Sequence, residues 1–167
     1  SLSENTVYEN LFDLTEETEM GHIKLAKMHD LIIVMPASAN FIAKVSNGYA
    51  NDLATTVLLA SKTKVLFVPA MNINMFTSEI TQKNIKYLQS LEYDFLFGSE
   101  GKLACGDYGL GRMAEPENIA KYIDILFSKS STSNLILSLS LFIRMTPKVY
   151  NAQSRLLDAL AMISWPK

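Results

Sequence analysis

The sequence predicts a doubly wound α/β fold of the Rossmann-like kind, a parallel sheet covered by helices on both faces. Three observations carry that prediction. Short runs that are apolar at every position recur along the chain, as in strands buried on both sides. Segments with a helical period separate them. Loops of small and polar residues follow the first two runs, at the place where open α/β sheets bind ligands.

In chain order, Leu31-Ile32-Ile33-Val34-Met35 is the first run, ending at Pro36. Ile42, Val45, Leu53, Val57, Leu58 and Ala60 then repeat with helical spacing, broken near Asn47-Gly48. Val65-Leu66-Phe67-Val68 is the second run and stops at Pro69. Ile80, Ile85, Leu88 and Leu91 read as one face of the next helix. Phe95-Leu96-Phe97 before Gly98 is a weaker third strand, and Ile119, Tyr122, Ile123, Leu126 and Phe127 form a last helical face with Pro116 suited to its first turn. Strand and helix alternate three times, the grammar of a wound parallel sheet. Three strands make a thin one, and no glycine-rich loop precedes the first, so the fold is read as incomplete at its N-terminus.

Residues 1–128 are expected to form this domain. Ser128 to Asn134 reads as a linker, and 129–167 as a C-terminal tail of unknown role, in which Ala152, Leu156, Leu157, Leu160 and Ile163 could line one helical face. No internal repeat is visible.

Composition narrows the function classes. Of 167 residues, 49% are apolar and the net charge is −2, which excludes a disordered chain and argues against a nucleic-acid surface. Lys and Arg are scattered, without a basic run. The longest apolar stretch, Leu135 to Met145, is broken by Ser138, Ser140 and Arg144 and falls short of the roughly 20 residues that cross a bilayer. No signal peptide and no metal site are read. Cys105 is the single cysteine, so no internal disulfide forms and a cytoplasmic location is expected.

Candidate site residues lie beyond the strand ends. Pro36-Ala37-Ser38-Ala39-Asn40 and Pro69-Ala70-Met71-Asn72-Ile73-Asn74-Met75-Phe76 both begin with small residues that admit a ligand close to the backbone. Ser38 and Asn40 offer hydrogen bonds near a helix start, where the alternative is simple capping. Gly101 to Met113 packs four of the seven glycines of the chain around Cys105, the composition of an uncrowded, mobile lid. A lone cysteine is either a buried filler or a reactive thiol. His22 could move a proton near neutral pH or sit at the surface capping a helix; His29, beside Asp30, is assigned to the surface case.

These residues resemble a known family. His22-Ile23 with Leu25-Ala26-Lys27, then Pro36-Ala37-Ser38-Ala39-Asn40, then Pro69-Ala70-Met71-Asn72 with Met75, are similar to the flavin-dependent cysteine decarboxylases. Gly48 to Leu53 and Ala104-Cys105-Gly106-Asp107 through Gly111-Arg112-Met113-Ala114-Glu115-Pro116 resemble the branch that acts on phosphopantothenoylcysteine in coenzyme A synthesis. The similarity runs from about Leu2 to Phe127.

The resemblance implies a flavoprotein fold and FMN as cofactor. FMN would take a hydride from the cysteinyl unit, and the resulting thioaldehyde would lose carbon dioxide to give an enethiol. His22 would serve proton transfer and substrate orientation, Asn72 would hold the substrate carboxylate, and Ala70, Met71 and Met75 would line the substrate beside it. Pro36, Ala37, Ser38 and Asn40 would line FMN and a subunit contact, and Cys105 would assist reduction of the enethiol. The family also implies a homo-oligomer, a trimer or higher, acting on a small molecule. Departures are Phe76 where many relatives carry Trp, and a start after the family's first glycine-containing turn. Two other readings compete: decarboxylation of a peptide's C-terminal cysteine, as in lantibiotic synthesis, and a non-catalytic binding or regulatory subunit.

Overall fold

The computed structural model describes residues 29–103, 106 and 108–128. The expectations for His22, for Cys105 itself and for the tail 129–167 lie outside the described residues.

The described chain is a three-layer α/β unit. β1 (Leu31–Ala37), β2 (Lys64–Pro69) and β3 (Asp94–Phe95) form a parallel sheet in the order β1-β2-β3. Leu31 pairs with Lys64 and Val34 with Phe67, and Phe67 pairs in turn with Phe95. Alternate residues feed opposite layers, as the pleat requires. Ile32, Val34, Val65 and Phe67 pack on α1 (Ala39–Ser46), α2 (Leu53–Ala60) and α4 (Glu79–Ser90) through Phe41, Ile42, Leu53, Val57, Leu58, Ile85 and Leu88. Leu31, Ile33, Met35, Leu66 and Val68 pack on α5 (Pro116–Ser128) through Ile119, Ala120 and Ile123. A five-residue α3 (Ile73–Thr77) precedes α4. Both sheet faces are thus covered, which is why the strands read as unbroken apolar runs.

Several boundaries differ from the sequence reading. β1 does not stop at Pro36: it continues to Ala37 through a cis Met35–Pro36 peptide. Its register with β2 shifts between Val34 and Ala37, where Pro36 has no amide hydrogen to place in the ladder. The buried stripe of α4 is Thr81, Ile85 and Leu88; Ile80 and Leu91, assigned to that face, are 73% and 51% exposed. Spacings of four and three put 81, 85 and 88 on one side, and 80 lies about 100° away around the helix. His29 is not at the surface. It is 8% exposed, and its carbonyl accepts a 3.0 Å hydrogen bond from Thr63 Oγ1 just ahead of β1.

The glycine-rich segment contains a small antiparallel ladder, β4 (Gly101–Lys102) with β5 (Tyr108–Gly109). Gly109 and Gly111 are crowded, while Gly106 has nothing within 4 Å among the described residues. A Cβ on Gly109 would overlap Ile73 Cδ1, one on Gly98 would overlap the Arg112 carbonyl, and one on Gly111 would lie 2.5 Å from the Met71 carbonyl oxygen. Gly98 and Gly111 permit close approach of another backbone, and Gly109 that of the Ile73 side chain.

Candidate functional site

The site is built where the chain leaves the carboxyl ends of β1 and β2. Ser38 caps α1, its Oγ accepting from the Phe41 amide at 3.2 Å. The capping alternative therefore holds for its lone pairs, while its hydroxyl hydrogen still has a donor direction to offer. Asn40 follows within the first turn and is exposed. Pro36 and Ala37 are buried and shape the strand end from beneath.

Asn72 occupies the equivalent place after β2. It caps α3, Oδ1 accepting from the Met75 amide at 2.8 Å, and it is exposed. Capping fixes the rotamer of the carboxamide. Its Nδ2 group, a pure donor, faces away from that bond and makes no hydrogen bond among the described residues. Met71 is half-buried against the core, and Met75 is exposed on the same short helix.

Two backbone hydrogen bonds knit the segments together. The Ala70 amide donates to the Ala37 carbonyl at 3.0 Å, joining the loops after β1 and β2. The Met71 amide donates to the Gly111 carbonyl at 2.9 Å, joining the second loop to the chain that returns from the glycine-rich ladder. Gly111 is therefore anchored beside Asn72, though it lies more than thirty positions away in sequence.

The electrostatics are those of a neutral floor. Neither 36–40 nor 69–76 carries a formal charge. Such a surface receives an anion by hydrogen bonds and leaves a planar apolar group undisturbed. The nearest ion pair on α1 is Lys44 Nζ with Asp52 Oδ2 at 2.8 Å, which bridges the 47–52 turn. Burial alone pushes the Asp52 carboxyl up, but hydrogen bonds from Lys44 and from the Thr55 amide and hydroxyl, with the Lys44 charge, hold it below its ordinary value. Asp52 and Thr55 form a reciprocal capping box at the start of α2. Beyond the ladder, Arg112 pairs with Glu115, and its side chain lies over Gly101. Among the described residues no group of three or more His, Cys, Asp or Glu is gathered to hold a metal.

Sequence reasoning placed the two loops and Asn72 and missed what joins them. Gly111 was read through composition alone. Its role could be found only from the backbone: it has φ +106°, which favours glycine. Phe97, assigned to β3, instead lies just past its end and reaches the rim.

Comparison with known proteins identifies the family and its fold. The Flavoprotein family profile matches residues 1–128. The coenzyme A biosynthesis bifunctional protein CoaBC of Haemophilus influenzae is 44% identical over 129 residues, 77% of this chain and 32% of that protein. The chain thus spans about a third of the length of the curated relatives it matches. Among solved structures, a variant of PPC decarboxylase complexed with pantothenoylaminoethenethiol superposes with a TM-score of 0.63 at 30% identity, over 64% of this chain and 60% of that one. The FMN binding protein AtHal3 superposes with a TM-score of 0.60 at 32% identity, over 67% and 61%.

Proposed function

This chain belongs to the Flavoprotein family, and from that membership we propose that it forms the decarboxylating part of an enzyme of coenzyme A synthesis. The reaction is FMN-dependent decarboxylation of 4'-phosphopantothenoylcysteine to 4'-phosphopantetheine. The observation that carries this reading is the pair of bonds Ala70 N to Ala37 O and Met71 N to Gly111 O, which gathers three sequence-distant loops around the Asn72 carboxamide. Relatives named for coenzyme A synthesis and for PPC decarboxylation support it.

The residues present fit the cofactor. Ala39 and Ala70 are small, Asn40 and the Ser38 hydroxyl supply polar contacts, and the floor carries no charge to oppose a flavin ring. When bound, FMN supplies the centre that accepts and returns a hydride. The chain's own groups do the rest. Asn72 Nδ2 donates to the substrate carboxylate and holds it until carbon dioxide leaves. Ala70, Met71 and Met75 pack beside it. His22 orients the cysteinyl unit and moves its proton. Cys105, carried by the glycine-rich segment, delivers a proton to the enethiol under cover from bulk water. Pro36 and Ala37 support the cofactor loop from below. The active form is a homo-oligomer, a trimer or higher, acting in the cytoplasm.

The test is direct. The protein is incubated with FMN and phosphopantothenoylcysteine while carbon dioxide release and product mass are followed. Release of carbon dioxide with a fully reduced thiol product is expected. A product two hydrogens lighter marks a peptidyl-cysteine type of chemistry instead, and a colourless protein that releases nothing marks a non-catalytic subunit.

A further inference from the structure

The turn between α1 and α2 lies outside the proposed site and carries chemistry of its own. Asn47-Gly48, which breaks the helical rhythm of the sequence, sits at its start. In an Asn-Gly pair the glycine amide nitrogen can attack the asparagine Cγ, because no side chain on the second residue stands in its way. The new N–Cγ bond closes a succinimide ring, the Cγ–Nδ2 bond breaks, and ammonia leaves with the proton that the glycine amide gives up. Water then opens the ring at one of its two carbonyls, leaving either Asp or an iso-linked Asp.

Both reacting groups are engaged in the folded chain. Asn47 is the C-cap of α1, with ψ 8°, and Gly48 follows it with φ +70°. The Gly48 amide, the nucleophile, donates to the Val45 carbonyl at 3.0 Å, and the Tyr49 amide donates to the Lys44 carbonyl at 3.0 Å. This pair of bonds closes a helix on a left-handed residue. Nδ2 of Asn47, the leaving group, donates to the Ala43 carbonyl at 2.8 Å and to Ser46 Oγ at 3.3 Å. The turn is otherwise open: residues 47 to 50 are exposed, and a Cβ on Gly48 would meet nothing within 4 Å among the described residues. Lys44 Nζ, paired with Asp52 Oδ2 at 2.8 Å, ties one side of the turn to the other.

We infer that Asn47 is a deamidation site whose rate is set by local opening of the α1 C-cap. Ring closure needs the Gly48 amide released from Val45, Nδ2 released from Ala43, and the Asn47 ψ turned, so it proceeds only from molecules in which the last turn of α1 has opened. Conversion then prevents the cap from closing as before. An Asp at this place sets a carboxylate, which cannot donate, against the Ala43 carbonyl at the negative end of the helix. An iso-linked Asp adds a backbone atom where the cap requires ordinary spacing. The inference is independent of the decarboxylase reading.

The experiment ages the full chain in mildly alkaline buffer, folded and in urea, and follows Asp and iso-Asp at position 47 by peptide mapping with mass spectrometry. Conversion is expected in both samples, at least about tenfold slower in the folded one. Lys44→Gln cuts the tie across the turn while keeping a good helix former. It should speed folded conversion about two- to threefold and raise exchange of the Gly48 amide by the same factor, with the urea rate unchanged. Equal rates folded and in urea overturn the inference, since the cap would then hold nothing back. Conversion confined to the urea sample, or a folded rate that Lys44→Gln leaves unchanged, also overturns it, because either places the reaction in wholly unfolded chains. Should Lys44→Gln fail to fold, Asp52→Asn removes the same pair from its other side and must give the same acceleration.

Discussion

Gly111→Ala is the substitution that tests the architecture of the site most sharply. Gly111 has φ +106°, where an L side chain is strained by about 1–2 kcal/mol. The new methyl would also stand 2.5 Å from the Met71 carbonyl oxygen, a backbone atom that cannot turn aside as a side chain can. Relief requires the two segments to part, which removes the 2.9 Å bond from the Met71 amide to the Gly111 carbonyl. Such a bond contributes about 1 kcal/mol net. Docking of the glycine-rich segment on the Asn72 loop should therefore weaken by about 2–3 kcal/mol, or roughly 30- to 150-fold in the opening equilibrium. Amide hydrogen exchange reads this residue by residue. Protection of the Met71 amide should fall by that factor, while Val34 and Phe67, in the centre of the sheet, keep theirs. Unchanged protection at Met71 would refute the reasoning, and equal loss in the strands would show that the segment is part of the core rather than a docked element.

Other substitutions probe separate parts of the account. Phe67→Ala removes a fully buried ring that contacts Phe41, Tyr93 and Phe95, and should cost about 3–5 kcal/mol in urea unfolding. Asp52→Asn keeps a capping side chain but ends the pairing with Lys44, a half-buried contact near the surface, and should cost about 0.5 kcal/mol at neutral pH. Because the folded Asp52 carboxyl titrates below its ordinary value of 3.8, its contribution is fully present above that value and is lost as the pH falls through the folded one; the gap between the two proteins should close in acid, and a gap independent of pH contradicts the assignment. Asn72→Asp replaces the Nδ2 donor by a carboxylate while leaving the cap to Met75 intact, so KM for an anionic substrate should rise at least tenfold with melting temperature unchanged. Cys105→Ser should release carbon dioxide yet leave a product two hydrogens lighter by mass, and normal product would remove the thiol from the reduction step.

Much of the fold was legible because burial on both sheet faces leaves a one-dimensional trace. Ile32 and Ile33 point to opposite layers, yet both must be apolar, so β1 and β2 stand out as unbroken runs. The capped start of α1 was legible for a similarly local reason, since Ser38 bonds to an amide three residues on, whereas the short helix capped by Asn72 was read as loop. The stripe of α4 was misread because Ile80 has the right chemistry on the wrong side of the helix and Leu91 lies at its C-cap, and only the packed sheet decides which side is inward. The close contacts of Gly109 and Gly111 were not legible because composition reports how freely a backbone could move, whereas neighbours such as Ile73 and Met71 decide how closely it is approached.

By itself the sequence determined the alternation of strand and helix, the layers on both faces of the sheet and the two loops of small residues, all consequences of short-range pattern. Only the tertiary structure decided that Ala37, Ala70, Met71 and Gly111 meet, because backbone hydrogen bonds between distant segments use groups that every residue possesses and no side chain announces.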